Sequence, residues 1–273
     1  MKQAMKLYAL IKKDQLILAF ILGVVLMGLE VGTSLWQNKV SDIVNSGLLL
    51  IGGWLLVGFV SLLMDQSRRL DIWLYTQKIS RGQLFIIRVL LMVVVPIVTG
   101  FAVNTLILLA IQPADLRNLM LTSANLALGY FFIASLTAVI YTIIGPNWMK
   151  VAGLFFTLAV LVQPLETIAS LWHNDLLPDM FVTLLTSMVL LSIGYSLSKK
   201  ISAETTDEAV RVRYLRWPVV IFVFVATDLT SLANHVGQVD IKVVVSTMIV
   251  PIILSGLTFF FVFRPKIKLT WDK

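Results

Sequence analysis

Residues 65–83 read DQSRRLDIWLYTQKISRGQ and separate two hydrophobic runs, Ser46–Met64 and Leu84–Ile111. The segment is polar and basic, whereas each neighbouring run is near or above the length of about 20 mostly apolar residues that a membrane-spanning helix needs. Positive charge is retained on the cytoplasmic side when a membrane protein is inserted. Residues 65–83 are therefore predicted to be a cytoplasmic segment between two transmembrane helices.

The same reasoning along the chain predicts an all-α, polytopic membrane protein with eight transmembrane helices. All 22 Lys and Arg residues except Lys39, Arg117 and Lys242 lie in or beside alternate gaps between the hydrophobic runs, so both termini are predicted to be cytoplasmic. The predicted spans are Gln15–Ser34, Ser46–Met64, Leu84–Ile111, Leu121–Ile144, Val151–Ser170, Met180–Leu197, Trp217–Leu232 and Val243–Phe263.

The composition agrees with a membrane protein and excludes several other classes. The chain is 58% hydrophobic and 14% charged, with a net charge of +7. Because the basic residues flank predicted spans, the expected partner of this charge is an anionic inner leaflet and not a nucleic acid. The chain has no cysteine, and its two histidines, His173 and His235, have no metal-ligand spacing, so no metal site is predicted. No segment outside the membrane is long enough to fold alone, which predicts a single transmembrane domain over residues 1–273.

Three cytoplasmic segments have helical patterns. Residues 1–11 carry apolar side chains at helical spacing and predict an interfacial helix before the first span. In the second segment Leu70, Trp73 and Leu74 share one face, and Ser80 is a predicted N-cap of the following helix. In the third, residues 204–216, acidic residues precede basic ones, which predicts a solvated helix with Asp207 and Arg211 paired at i, i+4.

Glycines and prolines mark further positions within the spans. Gly28 and Gly32, four residues apart, would permit close packing of two helices. Pro96, Pro164 and Pro251 lie inside predicted spans and predict kinks or breaks there.

The order of these elements resembles the type-2 ATP-binding-cassette (ABC) exporter permeases over about residues 1–200, which would be a six-helix core. The similarity is carried by the N-terminal helix, by residues 75–88 (YTQKISRGQLFIIR), by the short link at residues 145–150 (GPNWMK), and by residues 163–166 (QPLE), where the fifth run is interrupted before residues 172–175 (WHND). Gln77 and Lys78 stand where the family often has a proline. Residues 201–273, a cytoplasmic helix and two further spans, lie outside that core.

The resemblance implies that residues 65–83 and 145–150 dock into a separate ABC ATPase subunit. A second permease copy or paralogue would complete the transport pathway in a cell membrane, expected to be the bacterial cytoplasmic membrane. No G-x-x-x-x-G-K-[ST] motif occurs, so the chain itself is expected to be no enzyme and to bind no cofactor, with ATP and Mg on the partner subunit. The residues expected to couple to the ATPase are Arg68, Arg69, Asp71, Trp73, Lys78, Arg81, Asn147 and Lys150.

Two acidic residues, Glu30 and Asp228, fall within predicted spans, where an ionisable group usually faces the protein interior or a wet cavity. Glu30 is also compatible with a position at the interface, and Asp228 with a structural role satisfied by Thr227 and Ser231. The predicted pathway or gate residues are Glu30, Glu166, Trp172 and Asp228.

With few charges in the spans, the expected cargo of an exporter is amphipathic or hydrophobic, such as a peptide, drug or lipid-like molecule. Two alternatives remain open: a proton-coupled secondary transporter that uses Glu30 and Asp228, and a non-transporting membrane partner that anchors or regulates another complex.

Overall fold

A computed structural model describes residues 2–36, 43, 45–67, 70–76, 79–111, 115–170, 176–201, 208–233 and 241–263. These residues are almost entirely helical, which confirms the predicted all-α class for the described part of the chain. The helices are α1 (Lys2–Ile11), α2 (Lys13–Trp36), α3 (Leu49–Ser67), α4 (Leu70–Thr76), α5 (Arg81–Val89), α6 (Val95–Ile111), α7 (Leu116–Ile143), α8 (Asn147–Ser170), α9 (Leu176–Ser198), α10 (Arg216–Ala233) and α11 (Ile241–Phe263).

Five segments among the described residues are long and apolar enough to cross a membrane, and they define a membrane-embedded protein. They are Lys13–Trp36, Ser46–Asp65, Arg81–Ile111, Leu116–Ile143 and Leu176–Ser198. Each coincides with one of the eight predicted spans. The other three predicted spans fall on α8, α10 and α11, of which α11 contains the shorter apolar helix Met248–Phe263. The total of eight spans stays a prediction.

The chain forms two compact units. The first comprises Met1–Thr142 and Leu165–Ala203, and the second comprises Ile143–Pro164 and Glu204–Lys273. The boundary near Pro164 falls within α8, which is helical from Asn147 to Ser170. The predicted interruption at residues 163–166 is therefore absent from the backbone, because a membrane helix can tolerate the one hydrogen bond that a proline removes.

In the first unit α2 and α3 approach each other closely where two glycines face. A Cβ atom added to Gly53 would lie 2.9 Å from the Cα of Gly23. Ala19, Leu50 and Trp54 form a buried cluster beside this contact. The approach does not involve the predicted pair Gly28 and Gly32: a Cβ at either would have no described atom within 4 Å.

A buried polar cluster joins three elements at the end of α2 that holds Glu30. We call it the Asn104 cluster, and its members are Asn45, Gly47, Asn104 and Ser123. The fully buried Asn104 donates to Ser123 Oγ at 3.0 Å and accepts from the backbone N–H of Gly47 at 3.2 Å. Ser123 donates to Asn45 Oδ1 at 3.0 Å. These bonds satisfy groups that would otherwise be costly to bury, so they fix how α6 and α7 pack against the chain before α3.

The third span, Arg81–Ile111, contains a π-helical turn at Leu90–Val94 between α5 and α6. The N–H of Val95 donates to the carbonyl of Leu90, an i to i+5 bond. Pro96 follows directly and has no N–H with which to continue the α-helical pattern. The break predicted at Pro96 thus takes the form of a π turn.

In the second unit, residues 209–211 pair with residues 143–145, at and just after the end of α7, through one antiparallel bridge. Val210 forms an antiparallel bridge with Ile144, and the N–H of Arg211 donates to the Ile143 carbonyl at 2.8 Å. The helix predicted over residues 204–216 is therefore wrong for residues 208–212. Residues 209–212 are all buried, so tertiary burial of the two valines outweighs the local charge order. Asp207 lies outside the described residues, and Glu208 pairs with Arg216 at 2.7 Å.

Gly53→Ala is expected to lower the free energy of unfolding by about 1–3 kcal/mol, because the new methyl group overlaps the α2 backbone. Gly52→Ala is the matched control: a Cβ at Gly52 meets Tyr130 at an ordinary 3.7 Å, so the helix propensity of alanine should leave stability unchanged or raise it by up to about 1 kcal/mol. Thermal unfolding of the detergent-solubilised protein measures both. Equal effects of the two substitutions would contradict the packing described.

Candidate functional site

Helix α4 is a short helix that is held firmly on one side. Leu74 is fully buried in an apolar cluster, the Leu74 core, whose buried members are Tyr8, Leu74, Ile79, Leu84, Ile87 and Met92. These residues come from α1, from α4, from Ile79 just before the capping residue Ser80, and from the first part of the third span. The adjacent Trp73 is 46% exposed. Leu70 packs against the same cluster, as predicted for the apolar face, whereas Trp73, which was predicted on that face, is accessible.

The start of the third span is fixed by a capping box. The N–H of Gln83 donates to Ser80 Oγ at 3.2 Å, and the N–H of Ser80 donates to Gln83 Oε1 at 3.3 Å. The predicted N-cap at Ser80 is confirmed, and α5 begins at Arg81. Because two helix-terminal N–H groups are satisfied in this way, the third span begins at a defined residue.

A buried group of charged and polar side chains lies at the junction of α1 and α2. We call it the Lys12 cluster, and its members are Lys12, Gln15, Ser61, Asp65 and Arg88. Lys12 and Asp65 form an ion pair in which the side chains are 1% and 3% exposed. Lys12 Nζ also donates to Ser61 Oγ and to Gln15 Oε1, each at 2.8 Å. The ammonium group therefore has several oxygen partners, as a buried charge requires.

Arg88 extends the Lys12 cluster to the third and fourth spans. Its guanidinium nitrogen is 3.9 Å from Asp65 Oδ2, and its Nε donates to the Tyr8 hydroxyl at 3.4 Å. The guanidinium carbon also lies 5.7 Å from the centre of the Tyr8 ring and 5.3 Å from that of Tyr141, in the range of cation–π contacts. One arginine thereby joins α1, α3, α5 and α7.

The sequence pattern did not predict these roles of Lys12 and Arg88. By sequence alone, both are explained as positive charges beside predicted spans, which indicate topology. A charged side chain can remain buried only when it is paired, and Asp65 supplies that pair from 53 residues further along the chain. No local pattern links the two positions, although an acidic residue directly after a hydrophobic run was a signal that could have been followed.

Several of the predicted coupling residues lie in or beside α4. Trp73 is exposed and Arg81 is partly buried at the first position of α5. The backbone of Asp71 is helical, whereas Arg68, Arg69 and Lys78 lie outside the described residues. In the second unit, Asn147 is partly buried at the start of α8 and Lys150 is fully buried. Because Lys150 is buried, its side chain is not exposed for contact with a second protein.

The predicted pathway residues fall in different places. Glu30 is partly buried and lines a cleft of the first unit. Asp228 is partly buried in α10, and its Oδ1 has no hydrogen-bond partner among the described residues. Thr227 cannot satisfy it as predicted, because its hydroxyl donates to the carbonyl of Val223 at 2.6 Å. The side chain of Glu166 and all of Trp172 lie outside the described part.

The sequence interpretation missed Asn104 and the cluster around it. Asn104 is the only amide or ionisable residue between Val89 and Ile111, and such a group inside a long apolar run is a usable signal.

Within the described residues, no group of three or more His, Asp or Glu side chains could hold a metal ion. Comparisons of the chain with family models, with curated proteins and with solved structures gave no match.

Lys12→Met is expected to lower the free energy of unfolding by about 3–5 kcal/mol, because Asp65 would remain buried without its ammonium partner. Lys13→Met is the matched control: Lys13 is exposed, and a surface change of this kind should cost no more than about 0.5 kcal/mol. Denaturant or thermal unfolding measures both.

The pairing itself is tested by a double-mutant cycle. Lys12→Met combined with Asp65→Asn should cost less than the sum of the two single substitutions, because no unpaired carboxylate remains. Additive losses would contradict a direct interaction between the two side chains.

Proposed function

We propose that this protein is the membrane-spanning permease subunit of an ABC exporter, which moves an amphipathic or hydrophobic cargo using ATP hydrolysed by a separate subunit. The observation that carries the proposal is the way in which α4 is held. Leu74 is fully buried, while Trp73 beside it is 46% exposed. A seven-residue helix that is anchored on one side and open on the other offers a firm surface to a second protein.

The contacts of α4 also provide a route by which force on this helix would reach the membrane. Leu74 packs with Tyr8 of α1 and with Leu84 of α5, so a displacement of α4 moves both neighbours. Tyr8 in turn contacts Arg88, which is within 3.9 Å of Asp65 at the end of the second span. In this proposal, closure of the ATPase subunits pushes α4, and the Leu74 core and the Lys12 cluster transmit the push to three spans.

The third span has a defined point at which such a push could bend it. The π turn at Leu90–Val94 replaces regular α-helical bonds, and Pro96 lacks the N–H that would restore them. Kinks in helices occur at π turns and prolines, because the hydrogen-bond ladder is interrupted there. The proposed motion therefore pivots the start of the third span relative to α6.

The full proposal includes eight spans with both termini in the cytoplasm, a second permease copy or paralogue, and two ATPase subunits. It places α4 and the Lys12 cluster on the cytoplasmic side and Glu30 near the opposite membrane face. The support for this orientation is the distribution of Lys and Arg along the chain.

Trp73→Ala is expected to weaken binding of the proposed ABC ATPase subunit by at least roughly tenfold, because truncating an exposed tryptophan at a protein interface removes a hot-spot contact. The matched control is Trp36→Ala. Trp36 is 88% exposed at the C-terminal end of α2, which the proposed topology places on the membrane face opposite to the ATPase. Co-purification from membranes and titration of the purified ATPase against the full chain in nanodiscs measure the effect. The proposal fails if the intact chain binds no ATPase, or if both substitutions have the same effect.

The orientation is tested by single cysteines, which are specific labels because the natural chain has none. Thr76→Cys, at the exposed end of α4, should react with a membrane-impermeant maleimide only after the cells are opened. Asn118→Cys, exposed in the first turn of α7, should react in intact cells. The reverse pattern would contradict the proposed topology.

A further inference from the structure

A cleft opens in the first unit around Glu30, near the end of α2 that is remote from Lys12. Its volume is about 360 Å³, and we call it the Glu30 cleft. Its lining residues are Glu30, Asn45, Ser46, Leu48, Leu49, Leu126, Gly129, Tyr130 and Ile133. At 1.5 Å per residue of helix, Glu30 lies about 27 Å along the helix axis from Lys12. The cleft is therefore separate from the Lys12 cluster and from the proposed ATPase surface.

The lining combines one carboxylate with mostly apolar walls. Among the described residues that line the cleft, Glu30 is the only ionisable group apart from the Tyr130 phenol, and none is basic. The walls of leucine, isoleucine and the tyrosine ring suit an apolar body, and a ring face also attracts a cation. A single carboxylate without a basic neighbour in the lining attracts a ligand that carries one positive charge.

The polar side of the cleft is held in place by the Asn104 cluster. Ser123 donates to Asn45 Oδ1, which fixes the orientation of the Asn45 amide. The Asn104 amide in turn donates to Ser123 Oγ and so holds the Ser123 hydroxyl in place. Ser46 is buried, and its hydroxyl donates to the Ile43 carbonyl at 2.8 Å. Because these groups are already oriented, a ligand would not bear the entropy cost of ordering them.

We propose that the Glu30 cleft binds a small amphipathic cation, with the Glu30 carboxylate facing its positive charge and the leucine, isoleucine and tyrosine side chains enclosing its apolar part. The volume is at the low end of the range found for small-molecule sites, which favours a single compact ligand over a peptide. As an assignment of cargo class, the inference rests on the proposed permease function. The binding site itself requires neither ATP nor the ATPase.

The test uses tetraphenylphosphonium, a permanent monocation, and tetraphenylborate, an anion of nearly the same shape. The full chain is reconstituted in phosphatidylcholine nanodiscs without ATPase, and binding is measured by equilibrium dialysis against empty nanodiscs. Tetraphenylphosphonium should bind saturably and tetraphenylborate should not. Since no ATPase is present, this result is independent of whether the proposed coupling is correct.

Glu30→Gln should weaken tetraphenylphosphonium binding by at least roughly tenfold, because the charge-assisted contact is lost. Asp115→Asn removes the same charge from an exposed residue outside the cleft and should leave binding within about twofold, since an exposed charge interacts only weakly with a distant site. Melting temperatures of both variants establish that they are folded.

A second variant tests the cleft by its shape and keeps the charge. A Cβ at Gly129 would meet no described atom within 4 Å, so Gly129→Leu can fill the cleft without a backbone clash and should abolish saturable binding. Gly256→Leu is the control, because Gly256 is exposed, equally open and does not line the cleft. The proposal is overturned if tetraphenylborate binds equally well, as in an apolar lipid groove. It is also overturned if wild type shows no saturable binding, or if Glu30→Gln and Gly129→Leu both bind as wild type does.

Discussion

The ion pair between Lys12 and Asp65 is almost completely removed from solvent at the point where α1 gives way to α2 and the second span ends. Two charges in such a place are costly to desolvate, and their attraction compensates only when further groups complete the hydrogen bonding. Ser61, Gln15 and Arg88 provide those groups. Since neither charge can stay buried without the other, the ion pair holds the N-terminal helix against three spans. Leu74 of α4 then packs on Tyr8 of that N-terminal helix.

The first unit has polar clusters at both ends of its apolar bundle, and each positions a different surface. The Lys12 cluster supports Tyr8 and so the Leu74 core beneath α4. The Asn104 cluster orients Asn45 at the wall of the Glu30 cleft. Buried polar groups have strong directional requirements where no water can replace a missing partner. Between the two clusters, contacts such as Gly23 against Gly53 bring the helices close without such requirements.

Much of the helical layout could be predicted because its causes are local. Hydropathy over 20 residues located the five helices that are long and apolar enough to cross a membrane, and the Ser80 to Gln83 spacing located the start of α5. The extended pairing of Val210 with Ile144 was missed because it depends on a segment 66 residues away. Asn104 was also overlooked, although a lone amide in an apolar run marks a site that needs partners. The residues around Lys150 gave no indication that its side chain is buried, because by sequence it resembles an ordinary basic residue of a loop.

The sequence by itself determined that this is a helical membrane protein, where five long apolar helices lie, and that the segment 65–83 contains a helix with Leu70 and Leu74 on one apolar face. These features depend on composition and spacing within a single segment. Only the tertiary structure decided that Lys12 pairs with Asp65, that Trp73 is open while Leu74 is buried, and that Glu30 lines a cleft with Asn45 and Tyr130. Each of these features depends on which residues from distant segments come into contact. Buried charged and polar groups restrict those contacts, because such groups are stable only where a partner is present.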